Sequence, residues 1–207
     1  VKNLRVAGSF TTTATAKVTL GAVAGKLGEK AQLVGCTNTA GIAMNVDASG
    51  TTVIGGIFGQ GAAGNVIADN TNEGRITVRR KTPGDAAAVA GVGGWAYSDV
   101  TGCVNKGEIR YSDEVSAAKA VYVGGVLGRL DIGKGYVVEG CRNEAPVTLA
   151  TAQAANNLLG GIAAYANGEN RDTPNTIRNC ENRGDVLADA PVSDKAKTGQ
   201  ARMGGIC

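Results

Sequence analysis

Apolar residues recur along this chain in short runs with a period of two. Ile42, Met44 and Val46 form one run; Ile76 with Val78, Ile109 with Tyr111, Val147 with Leu149, and Val186 with Ala188 form the others. Alternation at this period predicts extended strands that turn these side chains to one face. Each run follows the same short pattern. Cys36, Asn38 and Ala40 precede Ile42; Asn70, Asn72 and Gly74 precede Ile76; Cys103, Asn105 and Gly107 precede Ile109; Cys141, Asn143 and Ala145 precede Val147; Cys180, Asn182 and Gly184 precede Val186. Successive copies start 33 to 39 residues apart. A repeat of that length marks an array of stacked units.

A second pattern keeps step with the first. Paired small residues lie between apolar ones at Gly21–Ala22, Gly55–Gly56, Gly93–Gly94, Gly124–Gly125, Gly160–Gly161 and Gly204–Gly205. In the third copy this alignment places Trp95 beside Ile57 and Val126, and Tyr97 beside Gly59. Just before each cysteine position stand Gly35, Asp69, Gly102, Gly140 and Asn179. These residue types tolerate a left-handed backbone, so a corner is expected there. Each repeat therefore reads as three short strands: one with the glycine pair, one leading into the cysteine, one after the Asn-x-Gly turn. The fold expected is an all-β, right-handed parallel β-helix of about five coils. A β-propeller is the alternative, but its blades need hairpin turns that the sequence does not display. Residues 1–16 read as an N-terminal edge or partial coil and 17–207 as one array, expected to be a piece of a longer chain because it stops inside a repeat.

In-register stacking turns each motif position into a ladder. Asn38, Asn72, Asn105, Asn143 and Asn182 would form an amide ladder inside the turn, each amide donating to one coil and accepting from another. Cys36, Cys103, Cys141 and Cys180, with Asn70 among them, are expected to be buried, reduced and structural. They lie too far apart in sequence for paired metal ligands, and stacked Cβ atoms roughly 4.8 Å apart exceed disulfide spacing. Neither a metal nor a cofactor is expected. The variable positions of the turn alternate in charge from coil to coil, as in Glu73, Lys106, Glu144 and Arg183, or Arg75 and Glu108. That pattern favours one register, each pair contributing about 0.2–1 kcal/mol.

Composition narrows the function. There are 32 glycines and only 4 prolines in 207 residues, which suits tight β turns and excludes a proline-rich linker. The net charge of +3 comes from interspersed acids and bases, without the basic stripe of a nucleic-acid binder. No apolar run is long enough to span a membrane, and the first residues lack the apolar core of a signal peptide. The absence of histidine removes Ser-His and Cys-His catalysis. Acidic candidates Asp99, Asp113, Glu114 and Asp131 share no ladder.

The glycine motif, as Gly56-Ile57-Phe58-Gly59 and Gly125-Val126-Leu127-Gly128, resembles the GLUG-type repeats of bacterial surface and secreted proteins. Together with the Asn-x-Gly turns it is similar to extracellular β-helical proteins of gut Bacteroidetes, from about Lys17 onward. The resemblance implies an extracellular or cell-surface location and a role in adhesion or glycan contact. A non-catalytic adhesin or scaffold is the expectation, meeting glycans or surface proteins through its loops. A polysaccharide lyase or glycoside hydrolase is the alternative. Sugar rings stack on aromatic side chains, which singles out Trp95, Tyr97 and Tyr136 as ligand-binding candidates. The longest loops, Arg79–Ala88, Asp113–Ala120, Gly168–Thr176 and Asp189–Ala201, are the expected partner sites.

Overall fold

The computed structural model describes residues 1–113, 120–131, 135–151, 156–167, 172–189 and 200–207. Glu114, most of the loops expected at 113–120 and 189–201, and residues 168–171 of the loop expected at 168–176 lie outside the described residues. The chain winds as a right-handed parallel β-helix, the hand that parallel crossovers adopt. Every strand pair is parallel and joins one coil to the next.

Each coil makes three extended passes, and bends in the first two divide the hydrogen bonding into five parallel sheets. The first sheet holds Val18–Gly21, Thr52–Gly55, Ala87–Ala90, Val121–Gly124, Asn156–Gly160 and Gln200–Gly204. The second holds Ala24–Lys26, Phe58–Gln60, Gly93–Ala96, Leu127–Leu130 and Ala163–Ala166. The third leads into the cysteines, from Gln32–Val34 to Thr176–Arg178. The fourth carries the asparagines, from Arg5–Val6 to Glu181–Asn182, and the fifth the period-two runs, from Ser9–Ala14 to Val186–Asp189. Residues of the first 14 thus already pair with the coil above them.

The bend between the third and fourth sheets is left-handed in every coil. Asn3, Gly35, Asp69, Gly102, Gly140 and Asn179 have φ between 53° and 65°, and only Gly, Asn and Asp occupy the position. This is the corner expected from sequence.

Two apolar cores run the length of the array. Ile42, Ile76, Ile109 and Val147 of the fifth sheet pack on Ile54, Val89, Val123 and Leu159 of the first. Phe58, Leu127 and Ala163 of the second sheet pack on Leu33, Ile67, Val100 and Val138 of the third. Between the cores the cross-section is pinched. The glycines at the bend from first to second sheet (Gly56, Gly91, Gly125 and Gly161) lie against the side chains of Asn72, Asn105, Asn143 and Asn182. A Cβ at any of these glycines would overlap the amide it faces.

The third coil corrects the sequence alignment. Ala90 and Gly91, not Gly93 and Gly94, stand level with Gly55 and Gly56. Gly93 pairs with Phe58 and Leu127, so the Phe58 ring fills the space beside Gly93. The sequence pattern falls three residues late here, because Val92-Gly93-Gly94 imitates the glycine pair while Ala90 conceals the true one. Corrected, the first four steps of this motif are 34 to 36 residues, more regular than the sequence suggested.

Candidate functional site

The asparagine ladder is buried from Asn38 to Asn143 and half-buried at Asn182. Asn38 Nδ2 donates to Asn72 Oδ1 at 2.8 Å, Asn72 to Asn105 at 2.8 Å, Asn105 to Asn143 at 2.8 Å, and Asn143 to Asn182 at 2.8 Å. The same nitrogens donate to the carbonyls of Ala40, Gly74, Gly107, Ala145 and Gly184, closing each turn. The amides are fully engaged and offer a ligand nothing. Cys36, Cys103 and Cys141 are buried, Cys180 is half-buried and Cys207 is exposed; all five are free thiols. The Cys141 thiol is held protonated by its contact with the Cys103 sulfur and by burial, and burial raises Cys180 as well. Asn70 replaces a thiol in this ladder and uses its amide locally, accepting from Cys36 N at 3.0 Å and donating to Leu33 O at 2.8 Å.

The charge ladder is partly as expected. Arg75 pairs with Glu108 of the next coil at 3.2 Å, and Arg178 with Glu139 at 2.8 Å. Arg142 and Arg183 instead reach Glu144 and Glu181, two residues away within their own coils. A pair within one coil needs no precise stacking of coils, so these two contribute less to register than a cross-coil pair.

The aromatic candidates do come together, and the reason is the corrected register. Trp95 is not level with Ile57 in the core; it pairs with Gln60 below and stands beside Arg129, followed by Tyr165 in the next coil. These residues form a half-exposed row on the second sheet. The first sheet faces them with the ladder Val53, Ala88, Tyr122 and Leu158. Gly94 and Gly128 bring the second sheet down onto the first-sheet backbone near Ile54 and Val89. The result is a narrow notch, closed at its base by glycine and lined at its mouth by aromatic side chains.

Arg129 sits at the centre. Its guanidinium carbon lies 4.3 Å from the Trp95 ring centroid, 5.5 Å from Tyr122 and 5.5 Å from Tyr165. Tyr122 and Tyr165 have their centroids 5.5 Å apart, and Tyr97 lies near-parallel to Trp95 at 6.1 Å. Asp131 neutralises the arginine: Arg129 Nη2 donates to its Oδ1 at 3.1 Å, Trp95 Nε1 to its Oδ2 at 3.1 Å, and Asn167 Nδ2 to its Oδ1 at 3.4 Å. Burial and the Asp131 carboxylate push the Tyr97 hydroxyl up to about 12. Burial, with the charges of Asp99 and Asp131, raises Tyr136 also. Asn175 ties this corner down, donating to the carbonyls of Asp131 at 2.9 Å and Asn167 at 2.8 Å and accepting from Tyr136 N at 2.9 Å.

All three sequence candidates, Trp95, Tyr97 and Tyr136, therefore converge on Asp131. Arg129, Tyr122, Tyr165, Asn167 and Asn175 were missed; the stacking register that the slipped motif obscured would have found the first three. Five of the chain's eight aromatic residues gather here, while Phe10, Phe58 and Tyr111 pack in the cores. One face of the Trp95 ring is covered by the Arg129 guanidinium.

The other acids serve the fold. Asp99 Oδ1 accepts from Val137 N at 2.8 Å, and Asp113 accepts from the Tyr111 hydroxyl at 2.6 Å. Asp113 stands level with Arg80, a fully buried arginine whose Nη2 and Nε donate to the carbonyls of Ala48, Gly50 and Thr82. The loop expected at 79–88 thus shrinks to 81–86, since Arg80 and Ala87 belong to strands. Among the described residues no three Cys, Asp or Glu side chains lie close enough to hold a metal ion. Nor, among the described residues, is any helix long and apolar enough to cross a membrane. Comparison of the chain with protein-family models, with curated proteins and with solved structures finds no match.

Proposed function

We propose that this solenoid is a non-catalytic adhesin or scaffold of the cell surface or extracellular space, and that it contacts glycans through the notch around Arg129. One observation carries the reading: Trp95, Tyr122 and Tyr165 surround a single arginine on the outside of the β-helix, with Tyr97 stacked beside Trp95. Soluble folds bury such rings or scatter them; a half-exposed cluster with few polar groups between is the composition of a binding surface. Asp131 pairs with Arg129 at 3.1 Å, so the arginine has no unpaired charge to offer an anionic ligand, which suits a neutral, hydroxyl-rich one. The tyrosine hydroxyls supply hydrogen-bonding groups beside apolar ring surface, the combination a sugar requires.

Catalysis is not part of this reading, because the carboxylates nearest the notch are committed to backbone amides and to Arg129. The extracellular location rests on the resemblance to GLUG-type repeats. The test is a glycan array probed with the intact protein and with Trp95→Ala. Binding to a defined set of glycans that is lost in the variant supports the reading; silence of the intact protein across the array overturns it. Release of reducing ends or unsaturated products from a polysaccharide would overturn the non-catalytic part alone.

A further inference from the structure

The corner that joins the fifth sheet to the first is polar on its inner side. In successive coils it buries atoms that make no hydrogen bond: Thr52 Oγ1, then Arg80 Nη1 with Thr82 Oγ1, then Asp113 Oδ2, then Asn157 Oδ1. Thr52 and Arg80 are 0% exposed, Asp113 5% and Asn157 6%. Register stacks them in two neighbouring ladders. Arg80 and Asp113 are direct partners on the fifth sheet, while Thr52 and Asn157 flank Ala87 and Val121 in one ladder of the first. The two charged groups are held apart by their other bonds. Arg80 donates to the carbonyls of Ala48, Gly50 and Thr82, and the backbone at Gly84 closes over its guanidinium. Asp113 Oδ1 accepts from the Tyr111 hydroxyl at 2.6 Å.

We infer that this corner binds a row of ordered water molecules, one bridging Arg80 Nη1 and Asp113 Oδ2 and others held at Thr52 and Asn157. Neighbouring coils stand roughly 4.8 Å apart, beyond the reach of a hydrogen bond. One water at about 2.8 Å from each of two groups spans that gap. The set of donors and acceptors selects the occupant. A guanidinium N–H only donates, carboxylate and amide oxygens only accept, and the threonine hydroxyls do either. Water both donates and accepts, and so satisfies all of them. A cation would be repelled by Arg80, and an anion by Asp113 and the Asn157 oxygen. Val46, Ala87 and Val121 line the same corner with side chains that form no hydrogen bonds. Left dry, each unpaired atom would keep the whole penalty of its lost hydration. The row is the counterpart of the amide ladder: there neighbouring coils bond directly, here through solvent.

The experiment is a crystal structure of the intact protein that shows ordered water, joined to urea unfolding of Thr52→Val. The expected result is density within hydrogen-bond distance of both Arg80 Nη1 and Asp113 Oδ2, with further density at the Thr52 hydroxyl and at Asn157 Oδ1. A direct Arg80–Asp113 ion pair, or a corner filled by protein atoms, overturns the proposal. A bromide soak separates the two small occupants: anomalous signal at the bridging position makes it an anion site and overturns water. Thr52→Val keeps the shape of the side chain and removes its hydroxyl. Beside bound water the change takes away a partner, so the urea midpoint should fall. In a dry corner it relieves a buried unpaired group, and a midpoint that stays or rises overturns the proposal.

Discussion

Asn72 donates its side-chain amide to Asn105 Oδ1 at 2.8 Å, across 33 residues of sequence, and Asn105 repeats the act toward Asn143. The chain of amides runs through the pinch between two apolar cores, where no water substitutes for a missing partner. Asn105→Ala strands a donor on Asn72 and acceptors on Asn143 and Gly107. The expected loss is about 2–4 kcal/mol in urea unfolding, reflecting more than one unsatisfied buried group. Asn182→Ala, at the half-buried end of the ladder, should cost distinctly less. Equal losses at both positions would show that the ladder carries no cumulative stability.

Phe58 and Gly93 make a second cross-coil match, large against absent. Gly93→Ala places a methyl group inside the Phe58 ring and should destabilise by about 1–3 kcal/mol through overpacking. Phe58→Leu alone opens space beside Gly93 and also destabilises. Combining them should recover part of the loss, giving a favourable coupling in a double-mutant cycle. Strict additivity of the two changes would mean that the ring and the glycine do not share that space.

Asp113 gives the fold a particular pH dependence. Burial raises its carboxyl to about 6, against the smaller opposing effects of the Tyr111 hydrogen bond and the Arg80 charge. The folded-state value lies above that of the unfolded chain, so the protonated form is favoured on folding. Its stabilisation is complete below about pH 4 and is lost as pH rises to about 6, amounting to on the order of 3 kcal/mol. Subtracting the urea midpoints of Asp113→Asn from those of the intact protein between pH 4 and 7 should isolate this fall. Exposed carboxylates such as Glu139 and Glu181, which their arginine partners hold low, cancel in the difference. A flat difference curve would rule the effect out.

Arg129 and Trp95 can be followed by light, since the chain has one tryptophan. Arg129→Ala removes the guanidinium from the indole and the partner from Asp131; the emission should shift to the red and stability fall by about 1–2 kcal/mol. Arg129→Lys should keep part of the stability, because an ammonium retains charge but not the flat stacking surface. Unchanged emission in Arg129→Ala would contradict the stacked geometry.

The parts of this fold legible in sequence are those in which every coil solves the same problem with the same residue. The inward Ile and Val of the fifth sheet, the amide ladder and the left-handed corner at Gly35, Asp69, Gly102, Gly140 and Asn179 all belong to that class. Illegible were the places where neighbouring coils solve a problem jointly. Phe58 and Gly93 look unrelated in a motif but are complementary in space, and mistaking Gly93 for the bend glycine hid the row of Trp95, Arg129 and Tyr165. Arg80 was hidden for a related reason. It occupies an inward position of a strand otherwise filled by Ile76 and Val78, tolerated because three carbonyls and Asp113 surround it. An arginine there reads as the start of a loop to any argument based on hydrophobic alternation. The aromatic candidates themselves were found by their chemistry, which needs no register; their convergence on Asp131 was not, because that is a fact of three dimensions.

The amide column also has a sense of direction. Every asparagine hands a proton donor toward the later coil, so the small dipoles of the side chains add along the axis instead of cancelling. At one end Val6 stands below Asn38, whose oxygen turns to the Ala40 amide; at the other, Asn182 has no amide beyond it among the described residues. Each link of the column is thus polar in one sense, an acceptor toward the earlier coil and a donor toward the later one. Two such columns meeting end to end would match only in series, nose to tail, like bar magnets laid in a line.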